Sequence, residues 1–354
     1  MRRSFISITI VIISSLSLAL ASDARINALG GNAAYWADDD QNIYLFPATI
    51  NNFQLAQISG ISGGSDGDYY NDPIPSGAEK ALFLFGNEGS TKWGFIIDGT
   101  ADKMVHMAWG NGTFGALFGI DMNSTDDGDD KLSNSTIDGS FGMNSSFGEL
   151  GVGFTMLSDD NVSTESDDDI DGLGIGVNLR RNQSLWVFDE MYVSFGLGSA
   201  STGDATASSM GLSANLFNHW ELNPNTTLLF VLGFGFESST ANSGAEGADD
   251  VTGSEISLPN AVLAIETNIN DWATMRAGIT NKHAFSSSTD NGTTKTSDNG
   301  ASDFSALFGL GFNYGGFKLD MDLNPGFFTN PVNHITGFNI MEPLGTMATI
   351  SYNW

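Results

Sequence analysis

The chain has no cysteine, 8 prolines in 354 residues and few basic side chains. Without thiols there is no disulfide framework and no thiol chemistry. The 13 Lys and Arg face 42 Asp and Glu, a formal charge of −29. Such a surface repels nucleic acid and anionic lipid headgroups, which sets nucleic-acid binding aside, and it attracts divalent cations. Beyond residue 21 no apolar run is long enough to cross a bilayer as a helix, which needs about 20 residues. Two options remain, a soluble exported protein or a barrel. A barrel crosses a membrane with no hydrophobic block, because every backbone group bonds to a neighbouring strand.

What is present begins with the first residues. Met1-Arg2-Arg3 leads an apolar stretch from Phe5 to Leu18 that ends in Ala19-Leu20-Ala21. A cationic start, a short apolar run and a small-x-small site predict a Sec signal peptide over residues 1–21. Cleavage would leave Ser22 first, with no cysteine there for lipoprotein processing. Without Arg2 and Arg3 the mature chain carries 11 basic and 42 acidic residues, a charge of −31. The 43 glycines, 25 phenylalanines and 16% charged residues suit a membrane barrel.

The residues at 345–354 carry the clearest strand pattern. Ala348, Ile350, Tyr352 and Trp354 share one face, and Met347, Thr349, Ser351 and Asn353 the other. Period-two alternation ending on an aromatic resembles the signal read by the barrel-assembly machinery of outer membranes, with Ile350, Tyr352 and Trp354 as its residues. The same dyad recurs upstream. Phe304, Ala306, Phe308, Leu310 and Phe312 oppose Ser305, Gly309 and Gly311. Leu228, Phe230, Leu232, Phe234 and Phe236 oppose Gly233, Gly235 and Glu237. Leu150, Val152, Phe154 and Met156 oppose Glu149, Gly151 and Gly153. Segments of about ten residues, apolar on one side and polar or Gly on the other, are the sequence signature of a transmembrane barrel.

Connection length separates a barrel from a soluble sandwich. Long connections fall near 325–344, 286–301, 239–253, 199–206, 157–170 and 122–135. Short ones fall near 314–316, 268–271, 218–225, 181–184 and 110–112. Sorting by parity is what outer loops and periplasmic turns produce. The predicted fold is all-β, a transmembrane antiparallel β-barrel of about 14 strands, or about 16 counting weak segments near 53–60 and 136–143. The predicted division is a signal peptide at 1–21, an N-terminal hatch (plug segment) or periplasmic leader at 22–50 and the barrel at 51–354. The predicted location is the outer membrane of a Gram-negative bacterium, among lipid and lipopolysaccharide.

Charges on the faces opposite the apolar stripes are predicted to line the lumen: Lys318, Asp320, Asp322, Arg276, Arg180 and Glu149, with Lys282 and Glu190 beside them. In channels such residues tune selectivity, and inside a barrel they also simply pair with one another.

The segment before the first strand includes Ala24-Arg25, Leu29-Gly30-Gly31, Ala37-Asp38-Asp39 and Phe46-Pro47-Ala48. These features resemble the long-chain fatty-acid outer-membrane transporter superfamily and its secretion-associated relatives, whose members usually read Asn-Pro-Ala where this chain has Phe46-Pro47-Ala48. The resemblance implies a hatch-plugged 14-stranded barrel, with Arg25, Gly30, Gly31, Asp38, Asp39, Phe46, Pro47 and Ala48 in the hatch. It also implies passive uptake of small hydrophobic molecules such as long-chain fatty acids. Physically, Gly30-Gly31 permits a sharp turn, and Pro47 stops regular structure before the first strand.

No enzyme is expected. His106, His219, His283 and His334 lie in separate segments, and there is no GxSxG elbow, HExxH or P-loop. Asp167-Asp168-Asp169-Ile170-Asp171-Gly172 matches the opening of a calcium loop, with Asp167, Asp169 and Asp171 as ligands. The twelfth position is Asn178 rather than the bidentate Glu. No cofactor is expected beyond weak Ca²⁺ or Mg²⁺ at the acidic loops. Besides fatty-acid-type transport, composition and charge leave open a cation-preferring porin and a structural or secretion-partner barrel.

Overall fold

The computed structural model describes residues 24–61, 80–86, 91–98, 105–126, 131–162, 169–245, 249–290, 292, 294–298, 300–323, 325 and 345–354. The signal peptide expected at 1–21 lies outside the described residues, as does most of the connection at 325–344.

The alternating segments become seventeen strands. β1 (Leu55–Ile61), β2 (Lys80–Phe85), β3 (Lys92–Asp98) and β4 (Val105–Gly110) are short. β5 (Phe114–Asp126), β6 (Lys131–Ser145), β7 (Gly148–Val162), β8 (Ile170–Leu185) and β9 (Phe188–Thr202) run 13 to 16 residues. β10 (Ala205–Asn223), β11 (Thr226–Asn242), β12 (Val251–Asn270) and β13 (Ala273–Asp290) run 17 to 20. β14 (Lys295–Asp298), β15 (Ala301–Tyr314), β16 (Phe317–Leu323) and β17 (Gly345–Asn353) complete the sheet.

All pairings are antiparallel. Each strand from β1 to β13 pairs with its chain neighbours. β13 continues to β15, β15 to β16 and β16 to β17. β17 returns to β1 through Leu55–Asn353 and Ile58–Ile350. Among the described residues sixteen strands thus form a closed ring, and β14 lies outside it, paired with Ser287–Asp290 of β13. Sixteen is the higher of the two counts expected, because the weak segments near 53–60 and 136–143 are β1 and β6. Closure leaves no edge, and so no backbone group facing lipid without a partner.

The two faces differ as the alternation predicts. Phe83, Phe95, Phe154, Ile175, Leu232, Leu263 and Ile350 are exposed on the outside. An aromatic girdle sits near the short turns, where Trp220 stacks on Phe230, Trp272 on Phe312 and Tyr352 lies against Phe317. Interfacial aromatics above and below an apolar band are the outer dress of a transmembrane barrel. The chain is therefore an all-β transmembrane barrel of the outer-membrane kind.

Two connections differ from expectation. The one placed near 199–206 is a two-residue turn at Gly203–Asp204, and the one placed near 181–184 lies at Trp186–Val187. Several other long connections shrink because strands continue through them, to Val162 in β7 and from Val251 in β12. A crossing strand needs only about 9–11 residues, so these strands project beyond the bilayer on the long-connection side. There both faces are polar, and hydroxyl pairs such as Ser254–Ser288, at 2.9 Å, join neighbouring strands. Polar residues on both faces erase the alternation that marks a strand in sequence.

Leu232 faces outward on β11, about midway along the apolar band. Leu232→Arg is expected to destabilise the barrel by about 2–4 kcal/mol, the cost of a cation at mid-bilayer, read by reversible denaturation in lipid vesicles. Arginine at outward Thr240, in the polar projection, should change stability little.

Candidate functional site

Residues 24–53 do not join the sheet. They fold into α1 (Ala24–Ala28), a 3-10 turn at Ala33–Tyr35, α2 (Asn42–Leu45) and a 3-10 helix at Pro47–Asn52. The segment runs a few residues past the expected boundary at 50. Its side chains make the core of the molecule, which lies inside the ring. Ile26, Leu29, Tyr35, Trp36, Leu45 and Phe46 cluster with Tyr192, Phe217, Leu229, Val231 and Ala264 of the inner wall. Ile43 and Ile50 cluster with Leu55, Leu82, Leu84, Ile96, Ala108 and Leu117. Each fully buried large aliphatic or aromatic side chain contributes about 1.5–3 kcal/mol.

Local geometry explains the motif residues. Gly30 and Gly31 both take positive φ, 106° and 76°, and Gly31 N–H donates to the Ile26 carbonyl at 2.8 Å. This closes α1 and reverses the chain, the turn expected of the pair. Pro47 starts the second 3-10 helix, where its missing N–H is no loss. There the chain lies flat on the wall: a side chain at Gly115, Gly142 or Gly151 would overlap the backbone of residues 45–48. Asn51 fastens this end to the turn before β5, accepting from Gly112 N at 2.7 Å and donating to the Phe114 carbonyl at 3.1 Å.

Two arginine clusters tie the segment to the wall. The Arg25 guanidinium is buried and donates to Asp39 at 2.6 Å, to both Glu266 oxygens at 3.1 Å and to Asp38 at 3.4 Å. Glu266 also accepts from Arg276 at 2.6 Å, Arg276 reaches Asp320 at 2.7 Å, and Lys318 pairs with Asp320 at 2.8 Å. On β8, Arg180 pairs with Glu149 and donates to the Ala34 carbonyl at 2.9 Å and to Asn42 Oδ1 at 3.0 Å. Its guanidinium lies over the Phe46 ring, 4.8 Å from the centroid. Phe46 thus contributes a cation–π contact to the Arg180 cluster.

All six charges expected in the lumen sit on the inner face. Five of them belong to these two clusters, whereas Asp322 turns to the wall and accepts from Met347 N. Of the eight expected hatch residues, Arg25, Asp39 and Phe46 make the specific contacts. Asp38 remains largely exposed. Ala48 is buried, and its carbonyl accepts from Asn51 at 2.7 Å. Ile350 and Tyr352 of the assembly signal face outward on β17, and Trp354 lies against Tyr352.

The residues offered as calcium ligands are placed only in part. Asp167 lies outside the described residues, Asp169 just precedes β8, and Asp171 lies within it, accepting from Ser158 at 3.1 Å. Gly172 is paired to Leu157 and Ala200 in extended strand rather than turning a loop.

Glu266, which joins Arg25 to Arg276, was missed, and so were Phe217, Leu229 and Val231. The signal was there. An unbroken apolar run such as Leu228-Leu229-Phe230-Val231-Leu232 marks a strand covered on both faces, so the inner wall had to meet protein at that depth.

Charges also meet inside the segment. Asp40 keeps some contact with water, yet burial and then the charge of Asp39 push its pKa up to about 6. Its oxygens accept from Gln41 at 3.1 Å and Gln57 of β1 at 2.9 Å. Burial works against the charge on Arg25, but Asp39 and Glu266 outweigh it and hold its pKa above the ordinary value.

The segment fills the short-turn half of the lumen. Above it lies a cavity of about 690 Å³, floored by Asn32, Tyr44 and Leu45.

No protein-family model matches the chain, and no curated protein matches it. Among solved structures it is similar to the copper transporter OprC, with a TM-score of 0.39 and 8% identity over 78% of this chain and 46% of that one. It is also similar to a double mutant of the Serratia marcescens hemophore receptor HasR in complex with its hemophore HasA and heme. That likeness has a TM-score of 0.37 and 12% identity over 77% of this chain and 46% of that one. The siderophore receptor PirA from Acinetobacter baumannii gives 0.37 and 7% over 76% and 52%. The chain spans about half the length of these structures. Likeness this slight adds nothing to the fold already read from the strand pairings.

Two outcomes are expected of the segment. Arg25→Met leaves buried Asp39 without its cation, while Glu266 keeps Arg276, and should weaken docking by about 3 kcal/mol, the low end for a broken buried pair. Hydrogen exchange of residues 24–53 should then quicken about a hundredfold. The raised Asp40 pKa means the docked state holds a proton that the free segment releases, so docking strengthens as pH falls from 7 through 6 toward 4. Protection factors of residues 24–53, with the intrinsic pH dependence of exchange divided out, should be larger at pH 5 than at pH 7.5, and Asp40→Asn should flatten that difference.

Proposed function

We propose that the chain is an outer-membrane channel for passive passage of small molecules, with residues 24–53 as its hatch. A sixteen-stranded barrel encloses a lumen wide enough for an aqueous path unless something fills it. The observation that carries the reading is the pair of arginine clusters, Arg25–Glu266–Arg276 and Arg180–Asn42, that hold a separate segment across the short-turn half of that lumen. Held mainly by side chains rather than as a strand, the segment is able to shift without opening the ring. A solute enters from the long-connection side, occupies the cavity, and leaves when the hatch moves.

The resemblance of residues 24–48 to fatty-acid transporters favours long-chain fatty acids as cargo. The sixteen strands depart from the fourteen of that group, and the cavity wall above the hatch is mainly glycine, hydroxyl and amide, which favours a hydrophilic solute. Location in a Gram-negative outer membrane after Sec export fits the leader and the apolar belt. A cation-preferring porin is the second reading, supported by the net charge of −29.

Planar-bilayer recordings of the intact protein and of a variant lacking residues 24–48 separate these readings. The intact protein is expected to be silent or to flicker, and the deletion to give large steady steps. Equal conductance from both would sink the hatch. A large, cation-selective step from the intact protein would put the porin in its place.

A further inference from the structure

We propose that the lumen cavity above the segment is a binding site for a neutral, hydroxyl-rich solute of sugar size. This rests on the channel reading above and names the class of its cargo. At about 690 Å³ the cavity lies within the range of small-molecule pockets.

One side of it is bare backbone. Gly153, Gly176, Gly196 and Gly211 pair one to the next across β7, β8, β9 and β10, all on the inner face. A side chain at Gly176 or Gly211 would meet nothing within 4 Å. Gly176 and Gly211 therefore do not make room for the segment. They leave a flat peptide surface beside open space, suited to the face of a ring.

The adjoining side is built from polar heads. β12 bulges against β11, setting Ser257 opposite Gly235 and Asn260 opposite Gly233. A side chain at Gly235 would strike Ser257 Oγ, and one at Gly233 would strike Asn215 Oδ1. Here glycine clears space for polar groups, and Ser257 and Asn215 are 2% and 6% exposed. Asn260 donates to Ser257 Oγ at 2.9 Å, while Asn260 Oδ1 and Ser209 Oγ are buried without a protein partner. Buried polar atoms need partners, and both residues line this cavity.

Charge and apolar cargo fit less well. Lys282 Nζ lies 2.8 Å from Glu255 and 3.2 Å from Glu237, so a resident ammonium already bridges the two carboxylates. A carboxylate would meet those acids, and an ammonium would have to displace Lys282. An acyl chain laid along this wall would leave serine and asparagine groups unpaired, at about 1–3 kcal/mol for each buried one. Hydroxyls that both donate and accept match the serine and amide set, and Tyr44 and Tyr192 lie at the base.

Calorimetric titration of the intact protein in detergent micelles, with maltose, lactose, raffinose and decanoate in turn, tests the proposal. At least one sugar should give saturable heat, and decanoate no heat beyond its mixing with protein-free micelles. Asn260→Leu and Gly211→Leu should each lower sugar affinity at least tenfold. Heat-modifiable gel migration identifies which variants keep the barrel, and Ser209→Val serves if the larger changes do not fold. Saturable decanoate heat without sugar heat, no heat from any sugar, or sugar affinity unchanged in folded variants would each overturn it. Conductance of the 24–48 deletion reports on the hatch separately, so a working hatch with no sugar binding defeats this inference alone.

Discussion

Hydrocarbon offers a peptide group no hydrogen-bond partner, so a sheet that crosses a bilayer must bond to itself all the way round. In this chain that requirement is met where β17 returns to β1. Once the ring is closed at sixteen strands, its circumference sets a lumen too wide for wall side chains to fill. The interior must then hold water or another piece of chain. Here residues 24–53 lie in the short-turn half, and a polar cavity occupies the space above.

The two halves of the inner wall are written in different residues for that reason. Where the segment lies, the wall carries Phe217, Leu229 and Val231 on one side and Leu82, Leu84 and Ile96 on another. Around the cavity it carries mainly glycine, serine and asparagine. Arginine and carboxylate groups sit along the segment, where a charge is partly shielded yet still within reach of a partner. Paired ions of this kind add little to stability compared with an apolar contact, but losing one partner is costly. They hold the segment in one register while leaving its bond to the wall sensitive to charge. Asp40 beside Asp39 puts one such charge near neutrality.

Much of the barrel was legible beforehand because lipid enforces a simple rule on every crossing strand. Phe304 to Phe312 and Leu228 to Phe236 alternate strictly outward, and each of those faces lies where the alternation placed it. The rule stops at the membrane surface. Beyond it Ser254, Ser288 and Thr240 are polar whichever way they point, so the strand extensions and the tight turn at Gly203–Asp204 left no periodic trace. The pattern is equally silent about contacts inside the ring, where Glu266 read as one more polar residue until Arg25 and Arg276 were brought to it from either side.

Periodicity of two, sorted connection lengths and an aromatic final strand were enough, by themselves, to determine a closed antiparallel barrel, its orientation of faces and the inward position of Arg180, Arg276 and Asp320. These are local properties, set residue by residue by the difference between lipid and water. Which inward charges meet, how residues 24–53 lie among them, and where glycine clears space for Asn215 and Ser257 were decided only by tertiary structure. Those contacts join residues as far apart as Arg25 and Glu266, and the distance between them follows from the curvature of the whole ring, which no stretch of sequence carries alone.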